Sequence, residues 1–183
     1  RANAAVTPPQ GRIAVGGFRL LKQPYQFSLD VTEAKPQVDV NSVTKLDVQR
    51  DAVKLESEFG FNVRRVGIFE SKITLPAALT ISSVTGDGVA EWSVVPAPPS
   101  SQLLTVKLTQ QKTGTFKIKL AARQSRGQAT EDFIIPTFAV SDAARHDAKV
   151  GIAIHSSLEA NTKDMGGFQQ EDVSALGASS KGG

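Results

Sequence analysis

From residue 25 onward, apolar and polar residues alternate at period two far more consistently than they recur every three or four positions. Successive side chains on a pleated strand point to opposite faces, so strands organise this chain. Tyr25, Phe27, Leu29 and Val31 alternate with Gln26, Ser28, Asp30 and Thr32, which predicts one strand; beyond the break at Lys35-Pro36, Val38 and Val40 predict another. The longest alternation follows Arg50-Asp51. Val53, Leu55, Phe59, Phe61 and Val63 share one face and Lys54, Glu56, Glu58, Asn62 and Arg64 the other, the pattern of a half-buried antiparallel strand. Val66 and Ile68 then fall on even positions while Ile73 and Leu75 fall on odd ones, so a β-bulge or tight bend is expected at residues 69–71.

Turn chemistry divides the rest. Thr85-Gly86-Asp87-Gly88 separates a strand at Leu79 and Ile81 from one around Trp92, and the proline-rich residues 96–101 must form a surface loop. Leu104, Val106 and Leu108 form a strand that residues 110–114 are expected to turn, with Phe116, Ile118, Leu120 and Ala122 returning as the second arm of a hairpin. Phe133-Ile134-Ile135 is cut by Pro136, which limits that segment to an edge strand or a bulge. The last strand is expected at residues 149–155, with Val150, Ile152 and Ile154 on one face and Gly151 and Ala153 on the other. Many short strands with no long helical period predict an all-β fold: an antiparallel β-sandwich of Ig-like or Greek-key connectivity, with extended terminal segments. A closed barrel is the weaker alternative. The expected organisation is an extended segment over residues 1–24, the sandwich over 25–156 and a polar tail over 157–183.

Composition narrows the functional classes. The 183 residues, 40% hydrophobic and 21% charged, suffice for one core, and no apolar run nears the roughly 18 residues a membrane-crossing helix needs. Without cysteine the chain has no disulfide, thiolate metal site or thiol nucleophile. The net charge of +3 comes from lysines and arginines interspersed with acids, so no nucleic-acid footprint is evident. The only methionine is Met165, and the small polar residues 179–183 have the composition of a linker. Both ends are therefore expected to be connections within something longer.

Candidate chemistry is sparse. His146 and His155 are the only histidines, and their spacing matches no zinc motif; His146 with Asp142 and Asp147 is the one conceivable metal or acid–base cluster. Asp39 and Asn41 supply a fragment of calcium-loop spacing without its glycine and closing glutamate. Glu56 and Glu58 sit about 7 Å apart on one strand face, a separation seen in glycosidase carboxylate pairs, but their alternation with Lys54 fits a solvated sheet face. A serine hydrolase arrangement lacks a G-x-S-x-G elbow, and the glycine motifs that cradle phosphates are missing. Trp92 and Tyr25 could stack on sugar rings, although a core role for Trp92 fits better. No catalytic, cofactor-binding or metal-binding residue is assigned, and no cofactor is expected.

Residues 11–16 (GRIAVG) resemble residues 148–153 (AKVGIA), each a short apolar–small alternation beside a basic residue. Residues 11–31 and 146–158, about a fifth of the chain, also resemble strand-and-linker segments of large, uncharacterised bacterial envelope proteins built from successive β-rich modules. That resemblance implies an extracytoplasmic setting, periplasm or cell surface. The expected function is a non-catalytic structural or protein-interaction module whose partners are other protein subunits, engaged through the terminal strand segments. A carbohydrate- or other ligand-binding module is the alternative, and a hydrolase with a hidden site the third reading.

Overall fold

A computed structural model of the protein describes residues 12, 16–19, 21–24, 26–127, 133–161, 163, 166, 167 and 169. The chain divides into two units, Arg1–Glu33 and Ala34–Gly183. In the first, the described residues form no strand, and the strand expected from Tyr25 to Val31 is not made; Tyr25 itself lies outside the described residues. The rings of Phe18 and Phe27 sit 4.6 Å apart, yet both remain exposed, as do Leu21, Leu29 and Val31. The alternation at residues 26–32 is genuine, but alternation gives a strand only where a neighbouring strand completes its hydrogen bonds.

The second unit carries β1 (Gln37–Val48), β2 (Ala52–Pro76), β3 (Thr80–Gly86), β4 (Val89–Ala97), β5 (Ser101–Ser125), β6 (Ala139–Val140) and β7 (Ala143–Ile154), with no helix among the described residues. It is a β-sandwich, as the periodicity predicts. Two 25-residue strands, β2 and β5, pair antiparallel along nearly their whole length and bend together, so each serves both layers. In one layer the order is β3, β5, β2, β1, β7, using Ala52–Val63 of β2 and Gly114–Ser125 of β5. In the other, β4 and β6 flank Ser101–Lys107 of β5 and Glu70–Pro76 of β2. The pairing is mixed, because β7 runs parallel to β1.

Residues 110–114 therefore do not turn a hairpin. They are the bend in β5, and the two arms expected to pair with each other pair instead with the two halves of β2. The partner bend in β2 covers residues 64–69, overlapping the expected bulge at Phe69 and extending upstream of it, with Arg65 at φ 70°. The two irregularities compensate: Glu70 pairs with Lys107, seven positions beyond the Val63–Gly114 pair on both strands, so the register resumes unchanged. At the crossing, a Cβ on Gly67 would lie 2.8 Å from the Lys112 carbonyl oxygen, and the Gln111 side chain donates to the Gly67 carbonyl at 3.0 Å. Only glycine permits that approach. Sheets change layer through such bends, and the compensation keeps odd-numbered residues facing the core in both halves of β2.

One cluster joins the layers: Val40, Leu46, Leu55, Phe59, Phe61, Ile73, Leu75, Leu104, Ile118 and Leu120 are all essentially solvent-free. Phe61 stacks on Phe116 at 5.0 Å. The segment at residues 133–138, without strand pairing, drapes Phe133, Ile135 and Phe138 against this core. Pro136 explains the missing ladder.

Candidate functional site

The outer face of the five-stranded layer is a lattice of charges. Lys117 donates to Glu58 at 2.7 Å and Lys119 approaches it at 3.7 Å; Arg64 pairs with Asp39, and Arg123 with Asp51 at 3.4 Å. Hydrogen bonding and charge from Lys117, aided by Lys119, hold the Glu58 carboxyl below the ordinary carboxylate range. A general acid needs the opposite shift, so Glu58 has the character of a solvated, ion-paired carboxylate, and Glu56 on the same face is exposed. Asp39 is committed to Arg64, and no group of three or more acidic or histidine ligands gathers among the described residues.

His146 behaves differently. It lies on β7 beside Val40 and turns inward, where its Nε2 hydrogen-bonds the Ser42 hydroxyl at 2.9 Å and its ring lies 6.4 Å from that of Phe59. Burial lowers its pKa from the ordinary 6.5, only partly opposed by the charge of Asp147. Alternation sends Asp147 to the other face of β7, where it pairs with Arg145 at 2.8 Å. The serine–histidine contact thus lacks the acid of a triad, and Ser42 is buried away from any incoming substrate. With Thr44 and Ser57, whose hydroxyls meet at 2.8 Å, the pair forms a polar strip within the core. His155 lies about 30 Å along the strand from His146 and hydrogen-bonds Ser157 instead.

This histidine gives a pH prediction. A depressed folded-state pKa means the unfolded chain binds the proton more readily, so the contribution is complete above 6.5 and is lost as pH falls through the folded value. The thermal midpoint should therefore decline as pH drops below 6.5, ahead of carboxylate titration, and His146→Gln should flatten that limb. An identical decline in the variant would assign the effect to other groups.

A cleft of about 420 Å³ is lined by Lys35, Phe61, Ile68, Ser71, Lys72 and Asp142. Into it faces Ser71, whose buried hydroxyl has no hydrogen-bond partner among the described residues. A trough of about 560 Å³ crosses the charged face over Val43, Glu56, Ser83 and Lys119. Trp92 is on β4 and 38% exposed, so it does not take the core role expected of it, and Tyr25, its suggested partner in a sugar platform, lies outside the described residues.

The edges are the most informative surfaces, since an exposed strand edge invites pairing unless something blunts it. β3 has seven residues and a register shift between Ile81 and Ser83. β4 has a shift between Val89 and Glu91 and carries Pro96; β6 has only two residues. β7 has twelve residues, contains no proline, and runs without irregularity from Arg145 to Ile154. Among the described residues it pairs on one side only, with β1. The His155 amide donates to the Val48 carbonyl at 2.9 Å, which sets the phase of the parallel ladder. Odd-numbered residues bond to β1, so the backbone groups of Ala148, Val150, Ile152 and Ile154 point outward. On the same margin Ile152 is 53% and Ile154 42% exposed, although their register partners Leu46 and Val48 are buried. The sequence placed a strand here but could not show which of its sides is open.

The chain is thus a β-sandwich module in which, among the described residues, β7 presents a long unblunted edge. No family model and no curated protein matches its sequence. Among solved structures it is similar to an M1 zinc metallopeptidase from Deinococcus radiodurans, at 16% identity and a TM-score of 0.36, over 50% of this chain and 21% of that one. It is also similar to a non-cellulosomal cohesin from the hyperthermophilic archaeon Archaeoglobus fulgidus, at 10% identity and a TM-score of 0.39, over 66% of this chain and 93% of that one. The chain spans about a fifth of the metallopeptidase. Assignment of the fold rests on the strand pairing itself.

Proposed function

We propose that this chain is a non-catalytic protein-interaction module of a larger assembly, and that its partner adds a strand to the open edge of β7. The carrying observation is the contrast among edges: β3, β4 and β6 are bulged, interrupted or very short, while β7 offers a regular ladder with Ile152 and Ile154 uncovered beside it. The candidate side chains favour a non-catalytic role, since Glu58 is engaged by lysines and Ser42 and His146 serve the core. The resemblance of residues 11–31 and 146–158 to envelope modules supports an extracytoplasmic assembly.

Hydrogen exchange tests this reading. In the dilute chain the amides of Ala148, Val150, Ile152 and Ile154 should exchange fast while those of their odd-numbered neighbours are protected; in the native assembly both sets should be slow. Ala148→Pro removes one outward amide without touching the bonds to β1, and should block incorporation with little change in melting temperature. If the outward amides stay unprotected in the assembly, the partner binds elsewhere.

A further inference from the structure

We infer that the strand accepted by β7 is residues 26–32 of a second copy of this chain, so that copies join head to tail. This rests on the strand-accepting reading of β7 and adds the identity of the donor. The molecule carries two incomplete halves of one sheet. Residues 26–32 have a strand's alternation, with Phe27, Leu29 and Val31 exposed, and make no strand pairing among the described residues. β7 has an open ladder with Val150, Ile152 and Ile154 at the same two-residue spacing along its inner margin.

Addition of the donor places three apolar residues alongside three others and covers Ile152 and Ile154. Its seven residues span roughly 23 Å of the roughly 40 Å that β7 provides, so the donor fits within the regular stretch. Each chain then holds one donor and one acceptor that are different surfaces, which makes the contact heterologous and lets it extend from copy to copy.

Two lysine substitutions separate the halves. Leu29→Lys puts a charge in the donor's apolar row and leaves the acceptor intact; Ile152→Lys does the reverse, at a position exposed enough for the fold to keep it. By light scattering after size exclusion, the mass of the unsubstituted chain should rise from monomer through multimers between micromolar and near-millimolar concentration. Each variant alone should remain monomeric, its association weakened about tenfold or more by burying an unpaired charge. An equimolar mixture should give a heterodimer and stop, because only one productive pairing remains. Thermal melts of both variants should match the parent.

A parent chain that stays monomeric throughout, or variants that fail to complement on mixing, overturns the inference. If Ile152→Lys abolishes assembly and Leu29→Lys does not, the donor is wrong while the open-edge reading stands. If Leu29→Lys instead speeds exchange of the outward β7 amides in a monomer, the donor is the chain's own segment, which also overturns the second-copy assignment. If Ile152→Lys leaves assembly unchanged, both readings fall.

Discussion

Phe59→Ala is expected to lower the unfolding free energy of the sandwich by about 3–5 kcal/mol, a large share of the roughly 5–15 kcal/mol typical of a domain. Phe59 is fully buried on β2, its ring edge-on to Phe138 at 5.6 Å and 6.4 Å from the His146 ring. It therefore links the five-stranded layer, the unpaired segment at residues 133–138 and the inward face of β7. Alanine would remove the ring and leave a gap that the ladder on either side cannot close without breaking hydrogen bonds. Chemical denaturation should show the loss directly. The His146 titration should report the same event, because opening its surroundings to water relieves the burial that depresses its pKa and moves it back toward 6.5. A loss below about 1 kcal/mol would mean that neighbouring side chains fill the gap.

The strands whose inward positions are mostly apolar were legible in the sequence, as at Val53–Val63 of β2, where Ser57 is the one polar inward residue, and Phe116–Ala122 of β5. β1 was legible only at Val38 and Val40, because its next inward positions are Ser42 and Thr44. Those polar residues are satisfied by His146 and Ser57, partners distant in sequence, so a local pattern carries no sign of their burial. The opposite error arose at residues 26–32, where a clean alternation has no partner strand among the described residues. Residues 110–114 read as a turn because glycine and polar residues break the pattern; a bend that keeps register leaves the same trace as a hairpin loop.

The candidate site was legible only in part. Alternation at Val150, Ile152 and Ile154 identifies a strand, but an edge is defined by which neighbours are missing, and that follows from the order of the whole sheet. Parallel pairing of β1 with β7 was beyond local reading as well, since it joins residues about 100 positions apart. The charged face was correctly expected to be solvated, and Glu58 adds the reason: cross-strand lysines keep it ionised.

Gly86→Ala should have an effect of similar size, from backbone geometry instead of lost apolar contact. A Cβ built on Gly86 falls 2.2 Å from the Lys117 carbonyl oxygen and 3.0 Å from the Ile118 Cα, at a φ of 156°. That oxygen also accepts the Asp87 amide at 3.2 Å, so the clash strikes the hydrogen bond that starts the turn from β3 to β4. The next bond, from the Thr109 amide to the Gly88 carbonyl at 2.8 Å, ties the same turn to the bend in β5. Relief requires moving backbone, not a flexible side chain, and the expected loss is about 2–4 kcal/mol. Gly60→Ala supplies the comparison: its nearest neighbour is the Asn41 carbonyl oxygen at 3.6 Å, an ordinary contact, and its effect should stay within about 0.5 kcal/mol. β3 and β7 are opposite ends of the five-stranded order, so the damage from Gly86→Ala begins far from the open edge. In hydrogen exchange, amides of β3 and β4 should lose protection first, while the odd-numbered amides of β7 keep theirs until global unfolding. Equal stability of the Gly86 and Gly60 variants would show that the turn relaxes without disturbing the ladder, and that the close approach to Lys117 does not hold the two layers together at this corner.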